Sequence, residues 1–413
     1  MRKRTILHCD LNCFFASVEM LYNPELRNIP MAVAGDPENR HGIILAKNVL
    51  AKKKGIKTAE SINEALRKCP ELLIRKPDYS SYQYFSELVR NLYYEFTDRV
   101  EPFGMDECWL DITESISYFG SVQNIVDQLL YRIRNEIGLT LSIGIADNKI
   151  YAKLGSDLAT EDSYRYINSL EEIRHMPADA LLNVGYHTYE TLKTFGIYTI
   201  GDIADKPAAY LNEILGKYGN TLYCYANGND LGYVGKIDDE HEEIKSISNS
   251  MTSVRDLYNI DDFKIILTVL CDSVSTRLRE QGLYYRTIHL IVRNNKLEVR
   301  TMQTSLKENS DLGKDIFDNA VMLFERNCDF SIPYRSIGVA VSKLSSKKDI
   351  CQTSLFEKET YSLKQKKQEV ALEQIRKRFG VNSISSLRVL EDSDLSHFTP
   401  KEEKEYYSFH NGR

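Results

Sequence analysis

Two short stretches, far apart in the chain, constrain it most. Leu7-His8-Cys9-Asp10-Leu11-Asn12-Cys13-Phe14-Phe15 and Gly104-Met105-Asp106-Glu107-Cys108-Trp109-Leu110-Asp111-Ile112 each read as an apolar strand with acids at one end. A fold that pairs these strands crowds Asp10, Asp106 and Glu107 into one small volume. Carboxylates so placed repel one another. They persist together around a divalent cation, and Mg²⁺ favours oxygen ligands plus substrate phosphates. That is the donor set of a two-metal phosphoryl-transfer site.

The surrounding pattern supplies a topology that brings the acids together. Arg4–Asp10 reads as a strand and Phe14–Leu21 as a helix, with Phe14, Val18 and Leu21 on one face. Tyr79–Phe96 reads as helical, and Val100–Met105 and Glu107–Ile112 as strands. Val122, Ile125, Val126, Leu129, Leu130, Ile133 and Ile137 predict an amphipathic helix over Ser121–Ile137, N-capped by Ser121. Leu139–Ala146 closes the unit as a strand. Without Asn23–Pro77 the order is β-α-β-β-α-β, the ferredoxin-like split arrangement. Its first and third strands are antiparallel neighbours. Asp10 ends the first and Asp106-Glu107 opens the third. Asp111, further along, reads as structural or surface, and Trp109 as core.

A chain of 413 residues is too long for one core, and about three or four domains are expected. Leu170–Asp230 reads as a small helical domain, in which Asn183–Ile203 is either a helix-hairpin-helix lacking one hairpin glycine or a plain helical pair. Such hairpins offer backbone N–H groups to DNA phosphates without reading bases. Leu231–Glu243 reads as a linker, and Lys245–Leu344 as a second β-α-β-β-α-β unit. Its open sheet face would present Arg286, Arg293, Lys296 and Arg300 to DNA backbone, or these are scattered surface cations. A last helix is expected near Leu363–Phe379, and roughly the final thirty residues are expected to be loosely ordered.

Bulk properties exclude some classes. No apolar run approaches the ~18–20 residues of a membrane span, and the N-terminal run is a strand rather than a signal peptide. The eight cysteines have neither disulfide nor zinc spacing, which fits a reducing, cytoplasmic setting. The net charge of −6 argues mildly against nucleic-acid binding, but its distribution matters more than its sum. Lys47, Lys52, Lys53, Lys54 and Lys57 crowd a strand-to-helix junction, where anions bind well, although a solvated face is the plainer reading. Lys149 and Lys153 share a helix face leaving the acid-bearing sheet, and Lys153 reads as a triphosphate contact.

At the two acid-bearing strands the sequence resembles the Y-family, or lesion-bypass, DNA polymerases, specifically the bacterial DNA polymerase IV and UmuC-like group. The resemblance covers about residues 1–345. It implies an α+β protein: a ferredoxin-like palm (1–22 and 78–168), inserted fingers (23–77), a helical thumb (169–231), a linker (232–244), a βαββαβ little finger (245–345) and a tail (346–413). It implies template-directed, low-fidelity DNA synthesis in damage tolerance, with two Mg²⁺ per site and Mn²⁺ able to substitute. The implied metal ligands are Asp10, the Leu11 carbonyl, Asp106 and Glu107, the three acids being catalytic. The implied nucleotide contacts are Phe14, Phe15, Lys52 and Lys153, with Phe15 the aromatic gate against a ribose 2′-OH. Primer–template DNA and deoxynucleoside triphosphates are the implied partners of a monomer without membrane attachment. Gln352-Thr353-Ser354-Leu355-Phe356 resembles the bacterial sliding-clamp-binding pentapeptide, carried by Gln352, Leu355 and Phe356. The fingers depart from the family pattern: Ala46, Val49 and Lys52 stand where a small hydroxyl residue, a Tyr and an Arg are usual. Lys52 keeps charge but loses the guanidinium fork, and Lys47 is a candidate to compensate. Two other readings stay open on the residues alone: a nucleotidyl cyclase on a palm, and a DNA-binding adaptor with a decayed site.

Overall fold

The structure is a computed structural model that describes residues 4–35, 42–229, 232–236, 243–346, 359–380 and 383–396. The chain divides near residue 240 into two compact units.

The first unit is built on a five-stranded sheet in the order Val100–Pro102, Glu107–Asp111, Ile6–Leu11, Leu141–Ala146, Ser163–Tyr166. The first four strands are antiparallel and give the expected βαββαβ arrangement. The fifth, parallel to Leu141–Ala146, extends it; its residues lie largely exposed, so no apolar alternation announces it. Side chains alternate across the central strand, as strand geometry requires. Cys9 faces Tyr93 of helix Tyr79–Tyr94. Ile6 instead packs in the cluster of Trp109, Ile150 and Leu154, on the side of helix Lys149–Leu158. That helix lies directly on the sheet because both surfaces are glycine where they meet. A Cβ on Gly144 would fall 1.8 Å from the Ala152 carbonyl oxygen, and one on Gly155 2.9 Å from Gly144 Cα. The predicted helix Ser121–Ile137 is α-helical over Val122–Arg132, capped by the Ser121 side chain. It then widens into a π turn over Ile133–Ile137, ending at Gly138 with φ +84°.

The insertion forms its own three-stranded sheet, Ile44–Lys47, Met31–Ala34 and Leu73–Arg75, in that spatial order. Buried Asn48 anchors it: its side chain accepts from Ala51 N–H, capping helix Val49–Lys53, and donates to the Leu26 and Ile29 carbonyls. Five short helices follow the palm-like sheet and enclose Leu192, Ile200, Ile203, Leu211 and Leu222. Asn183 there has φ +66°, a left-handed conformation that Asn tolerates better than other non-glycine residues. It keeps a tight turn next to Gly185, which opens helix Tyr186–Thr194 without a side-chain cap.

The linker begins later than the composition suggests. Val234 is buried in the first unit, Gly235 N–H donates to Glu101 Oε2 at 3.1 Å, and Lys236 pairs with Asp98 at 2.6 Å. Residues 232–236 are therefore docked.

The second unit is an antiparallel sheet in the order Val299–Ser310, Tyr285–Asn294, Tyr334–Ser342, Ser246–Leu257. Helices Ile260–Glu280 and Gly313–Asn327 cover one face, their Phe263 and Phe324 rings 4.3 Å apart. Of the four cations expected on the open face, Arg293 is exposed beside Val299, whereas Arg300 is the register partner of buried Val292 and donates to the Asn327 carbonyl. Arg286 donates to the Leu306 and Lys307 carbonyls, and Lys296 lies in the hairpin turn.

The tail carries the expected last helix, Glu359–Phe379, and part of the stretch beyond it, expected to be loose, is folded as well. Helix Glu359–Phe379 docks through Arg279, held between Glu369 at 2.9 Å and Glu373 at 3.0 Å, and through Lys366–Asp311. Beyond it Asp392 pairs with Arg255 at 2.6 Å and Leu395 is fully buried. Ion pairs seat the helix itself, so the sequence pattern predicts the helix but not its docking. Gln352, Leu355 and Phe356 lie outside the described residues. Among the described residues no helix is long and apolar enough to cross a membrane.

Candidate active site

The strand register does what the spacing predicts. Asp10 sits opposite Glu107 in the antiparallel ladder, and Leu11 N–H donates to the Asp106 carbonyl at 3.0 Å. The three acids are thus fixed by backbone pairing before any ligand arrives. The chain then turns sharply: Cys13 adopts φ +50° ahead of helix Phe14–Tyr22. Asn12 braces the turn, donating to Ser142 Oγ at 2.7 Å and accepting from Asp162 N–H at 3.1 Å. A non-glycine residue in this conformation is strained and persists because its surroundings hold it.

Lys153 reaches back from its helix into the acids. Its Nζ lies 3.4 Å from Asp10 Oδ2, 3.2 Å from Glu107 Oε2 and 2.8 Å from Asp157 Oδ1. One ammonium cannot balance this many carboxylates. Burial, and then Glu107, push the Asp10 carboxyl up to about 6. Burial, then Asp10 and Glu107, push Asp106 up to about 7. Burial opposes the charge on Lys153, but Glu107, Asp10 and Asp157 outweigh it and hold the ammonium above its ordinary range.

Among the described residues no three His, Cys, Asp or Glu side chains are closed up around a single ion position. Lys153 instead stands as an internal cation between Asp10 and Glu107. The donor set nevertheless suits Mg²⁺. The candidate ligands are hard oxygens, Glu107 Oε2 is buried without a well-formed hydrogen bond, and burial with mutual repulsion keeps Asp10 and Asp106 protonated above the usual carboxylate range.

His8 was not anticipated. It is fully buried, with Nδ1 2.7 Å from Ser156 Oγ, Nε2 3.2 Å from Glu107 Oε2 and its ring edge-on to Trp109 at 5.2 Å. Burial, and then Lys153, lower its pKa to about 3, so the ring is neutral. Trp109 is core, as expected, and also floors the site: its Nε1 donates to the Lys149 carbonyl at 3.0 Å, and the Lys149 ammonium sits 4.6 Å over its ring. Lys149 itself pairs with Glu101 at 2.6 Å, away from the acids. Asp111 accepts from Thr113 N–H and is structural.

Phe15 stacks on Tyr82, centroids 4.3 Å apart and planes within 11°, and meets the edge of Tyr79 at 6.1 Å. Tyr82 is itself fixed by donating to Glu19 Oε1 at 2.7 Å. This support was missed because an aromatic residue in an amphipathic helix reads as plain core. Phe14 is buried, its ring near Phe15 and Tyr82, which leaves its backbone rather than its ring for a ligand. In the insertion, Ala46 lies on its strand, Val49 is exposed, and Lys52 and Lys47 both act electrostatically on Cys13. Lys47 Nζ donates to Thr58 Oγ1 at 2.8 Å. A cleft of about 340 Å³ opens beside Val49, bordered by Ser17, Asn48, Thr140 and Glu161.

Comparison with known proteins places this arrangement. Residues 9–157 match the impB/mucB/samB family and residues 244–355 its C-terminal domain. A DNA polymerase IV of Acetivibrio thermocellus is 42% identical over 95% of this chain and 99% of its own. DNA polymerase IV 2 of Bacillus subtilis is 34% identical over 93% and 94%. Among solved structures, a Y-family DNA polymerase chimera matches with a TM-score of 0.70 at 22% identity, covering 82% of this chain and 98% of its own; that likeness concerns the fold. The fold is therefore that of a Y-family polymerase. The chain belongs to the impB/mucB/samB family and, within it, to the DNA polymerase IV group of DNA-directed DNA polymerases.

The carboxyl shifts carry a stability consequence for the metal-free chain. Unfolded, Asp10 and Asp106 ionise near 3.8; folded, they hold protons to about 6 and about 7. The folded state then binds more protons across that window. The stabilisation from these groups is full below about pH 4 and is lost as pH rises through 7. Asp106→Asn should leave stability nearly unchanged at pH 4 and raise it at pH 8 by on the order of 2–4 kcal/mol. Urea unfolding in a chelator at the two pH values checks this, and an equal effect at both contradicts it.

Proposed function

We propose that the chain is a template-directed DNA polymerase of the translesion type that extends a primer 3′ end by two-metal phosphoryl transfer. The observation carrying this reading is the Asp10–Glu107 register, with Lys153 reaching into the same acids. Asp10, Asp106, Glu107 and the Leu11 carbonyl would hold a pair of Mg²⁺, with Mn²⁺ able to substitute. When bound, these ions supply activation of the primer hydroxyl and neutralisation of the triphosphate and leaving pyrophosphate.

The remaining work falls to the chain's own side chains. Lys153, relieved of its acid partners, turns its charge to the triphosphate. Lys52 and Lys47 extend that positive rim from the fingers, as point charges without the fork geometry of an arginine. Phe15, propped by Tyr82, closes the space a ribose 2′-OH would need. Among the described residues the fingers hold a three-stranded sheet, two short α-helices and a 3-10 turn. A cover that small encloses the new base pair loosely, which favours tolerance of damaged templates and low fidelity. The uncapped N-terminus of Tyr186–Thr194 offers N–H groups to a DNA phosphate, and Arg293 on the open sheet face offers a cation. Gln352, Leu355 and Phe356 would engage the bacterial sliding clamp. A cytoplasmic monomer acting in damage tolerance fits these parts.

Primer extension with Mg²⁺ and deoxynucleotides tests the central reading. Asp106→Ala should lower extension at least ~10²–10³-fold; extension equal to wild type would sink the proposal. Phe15→Ala should admit ribonucleotides while keeping deoxynucleotide extension. An unchanged ribonucleotide-to-deoxynucleotide ratio of kcat/KM would remove Phe15 from the gate.

A further inference from the structure

Asp10 and Phe15 stand on different elements, and the chain between them bends at one place. Strand Ile6–Leu11 ends at Leu11 and helix Phe14–Tyr22 starts at Phe14, so Asn12 and Cys13 make the whole turn. Cys13 makes it with φ +50° and ψ +38°, and its side chain does not cap the helix. This left-handed conformation is disfavoured for a residue with a Cβ, so neighbouring contacts must hold it.

Asn12 provides those contacts with every polar group it has. Its N–H donates to the Thr140 carbonyl at 3.0 Å, and its carbonyl accepts from Ser17 Oγ at 2.7 Å. Its Nδ2 donates to Ser142 Oγ at 2.7 Å, and its Oδ1 accepts from Asp162 N–H at 3.1 Å. A backbone N–H can only donate, which fixes the amide's orientation. The Ser142 hydroxyl then accepts from Asn12 and donates to the Thr160 carbonyl at 3.2 Å. The anchors lie on both sides of the turn. Ser142 sits opposite Asp10 in the sheet, Asp162 leads into strand Ser163–Tyr166 with φ +55°, and Ser17 belongs to the helix that carries Phe15.

We infer that Asn12 is a positioning residue for sugar selection: its side chain fastens the left-handed turn to the sheet and so fixes where Phe15 stands relative to Asp10. The inference rests on Phe15 being the gate, as proposed above. Stacking on Tyr82 holds the Phe15 ring but not the start of its helix. Without the two side-chain bonds of Asn12, Cys13 relaxes toward negative φ, the first helical turn rotates, and the space closed to a ribose 2′-OH opens.

Single-nucleotide insertion by the full chain, with primer–template DNA and Mg²⁺, tests this through the deoxynucleotide-to-ribonucleotide ratio of kcat/KM. Asn12→Ala should lower that ratio about tenfold, the size of two lost hydrogen bonds. Asn12→Asp keeps an acceptor for Asp162 N–H and a second oxygen for the Ser142 hydroxyl, so its ratio should stay within about threefold of wild type. In a Phe15→Ala background, Asn12→Ala should change the ratio less than about twofold, because no gate is left to place. A purely structural role would lower both rates together and leave the ratio at its wild-type value, which overturns the inference. An equal drop in the ratio with and without the Phe15 ring also overturns it. Should Asn12→Ala fail to fold, Ser142→Ala decides: removing the partner of Nδ2 should lower the ratio about threefold, and an unchanged ratio overturns the inference. A wild-type ratio in Phe15→Ala defeats the gate reading itself, whereas lost discrimination there with full discrimination in Asn12→Ala defeats only the role of Asn12.

Discussion

The antiparallel pairing of Ile6–Leu11 with Glu107–Asp111 brings Asp10 opposite Glu107, and the remaining features of the site answer to that pairing. Strand side chains alternate, so a shift of one residue would turn Asp10 to the other face of the sheet. The apolar residues between set the register: Leu7, Cys9 and Leu11 are buried on one side, Ile6 and Trp109 on the other. The core of the palm and the geometry of its acids are one and the same constraint. Two like charges about 4 Å apart at a protein surface repel by about 4 kcal/mol, so this register is costly unless positive charge is supplied.

Lys153 supplies the first instalment of that charge. Its helix can approach because Gly144 and Gly155 leave no Cβ between helix and strand. The lysine contacts Asp10 and Glu107, yet Asp106 still holds its proton to about 7. Under the proposed function, divalent ions held by the acids would complete the neutralisation and leave Lys153 to meet a triphosphate. His8 and Trp109 pack edge to face beneath the acids, and Tyr82 stacks on Phe15. The insertion brings less: Ala46 and Val49 have no side-chain hydrogen-bond donor, so under the proposed function phosphate contacts there would fall to Lys47 and Lys52.

Much of this was legible because apolar alternation and helical periodicity are strong signals where a sheet is half covered. The strands of both βαββαβ units, the acids and Lys153 all stood out on that basis. His8 did not, since a lone histidine in an apolar strand looks like any core residue until its neighbours are known. Cys13 likewise gave no sign of its positive φ. The edge strand Ser163–Tyr166 carries no apolar pattern, and the docked linker turns on one buried residue, Val234. Arg300 reads as a cation of the open sheet face, yet its register partner Val292 puts it on the helix side, where it stays exposed. The last helix is expected from its pattern, but its docking through Arg279 and Lys366 is not. The stretch beyond it reads as loose chain, yet Asp392 pairs with Arg255 and Leu395 is buried.

The claim that everything else depends on is that Asp10, Asp106 and Glu107 share a pair of divalent ions. Mn²⁺ paramagnetic resonance of the ternary complex with primer–template DNA and a non-hydrolysable deoxynucleoside triphosphate measures this directly. Two ions close enough to be spin-coupled are expected, with the coupled signal lost in Asp10→Asn. A single isolated ion, or a coupled pair that survives Asp10→Asn unchanged, would contradict it.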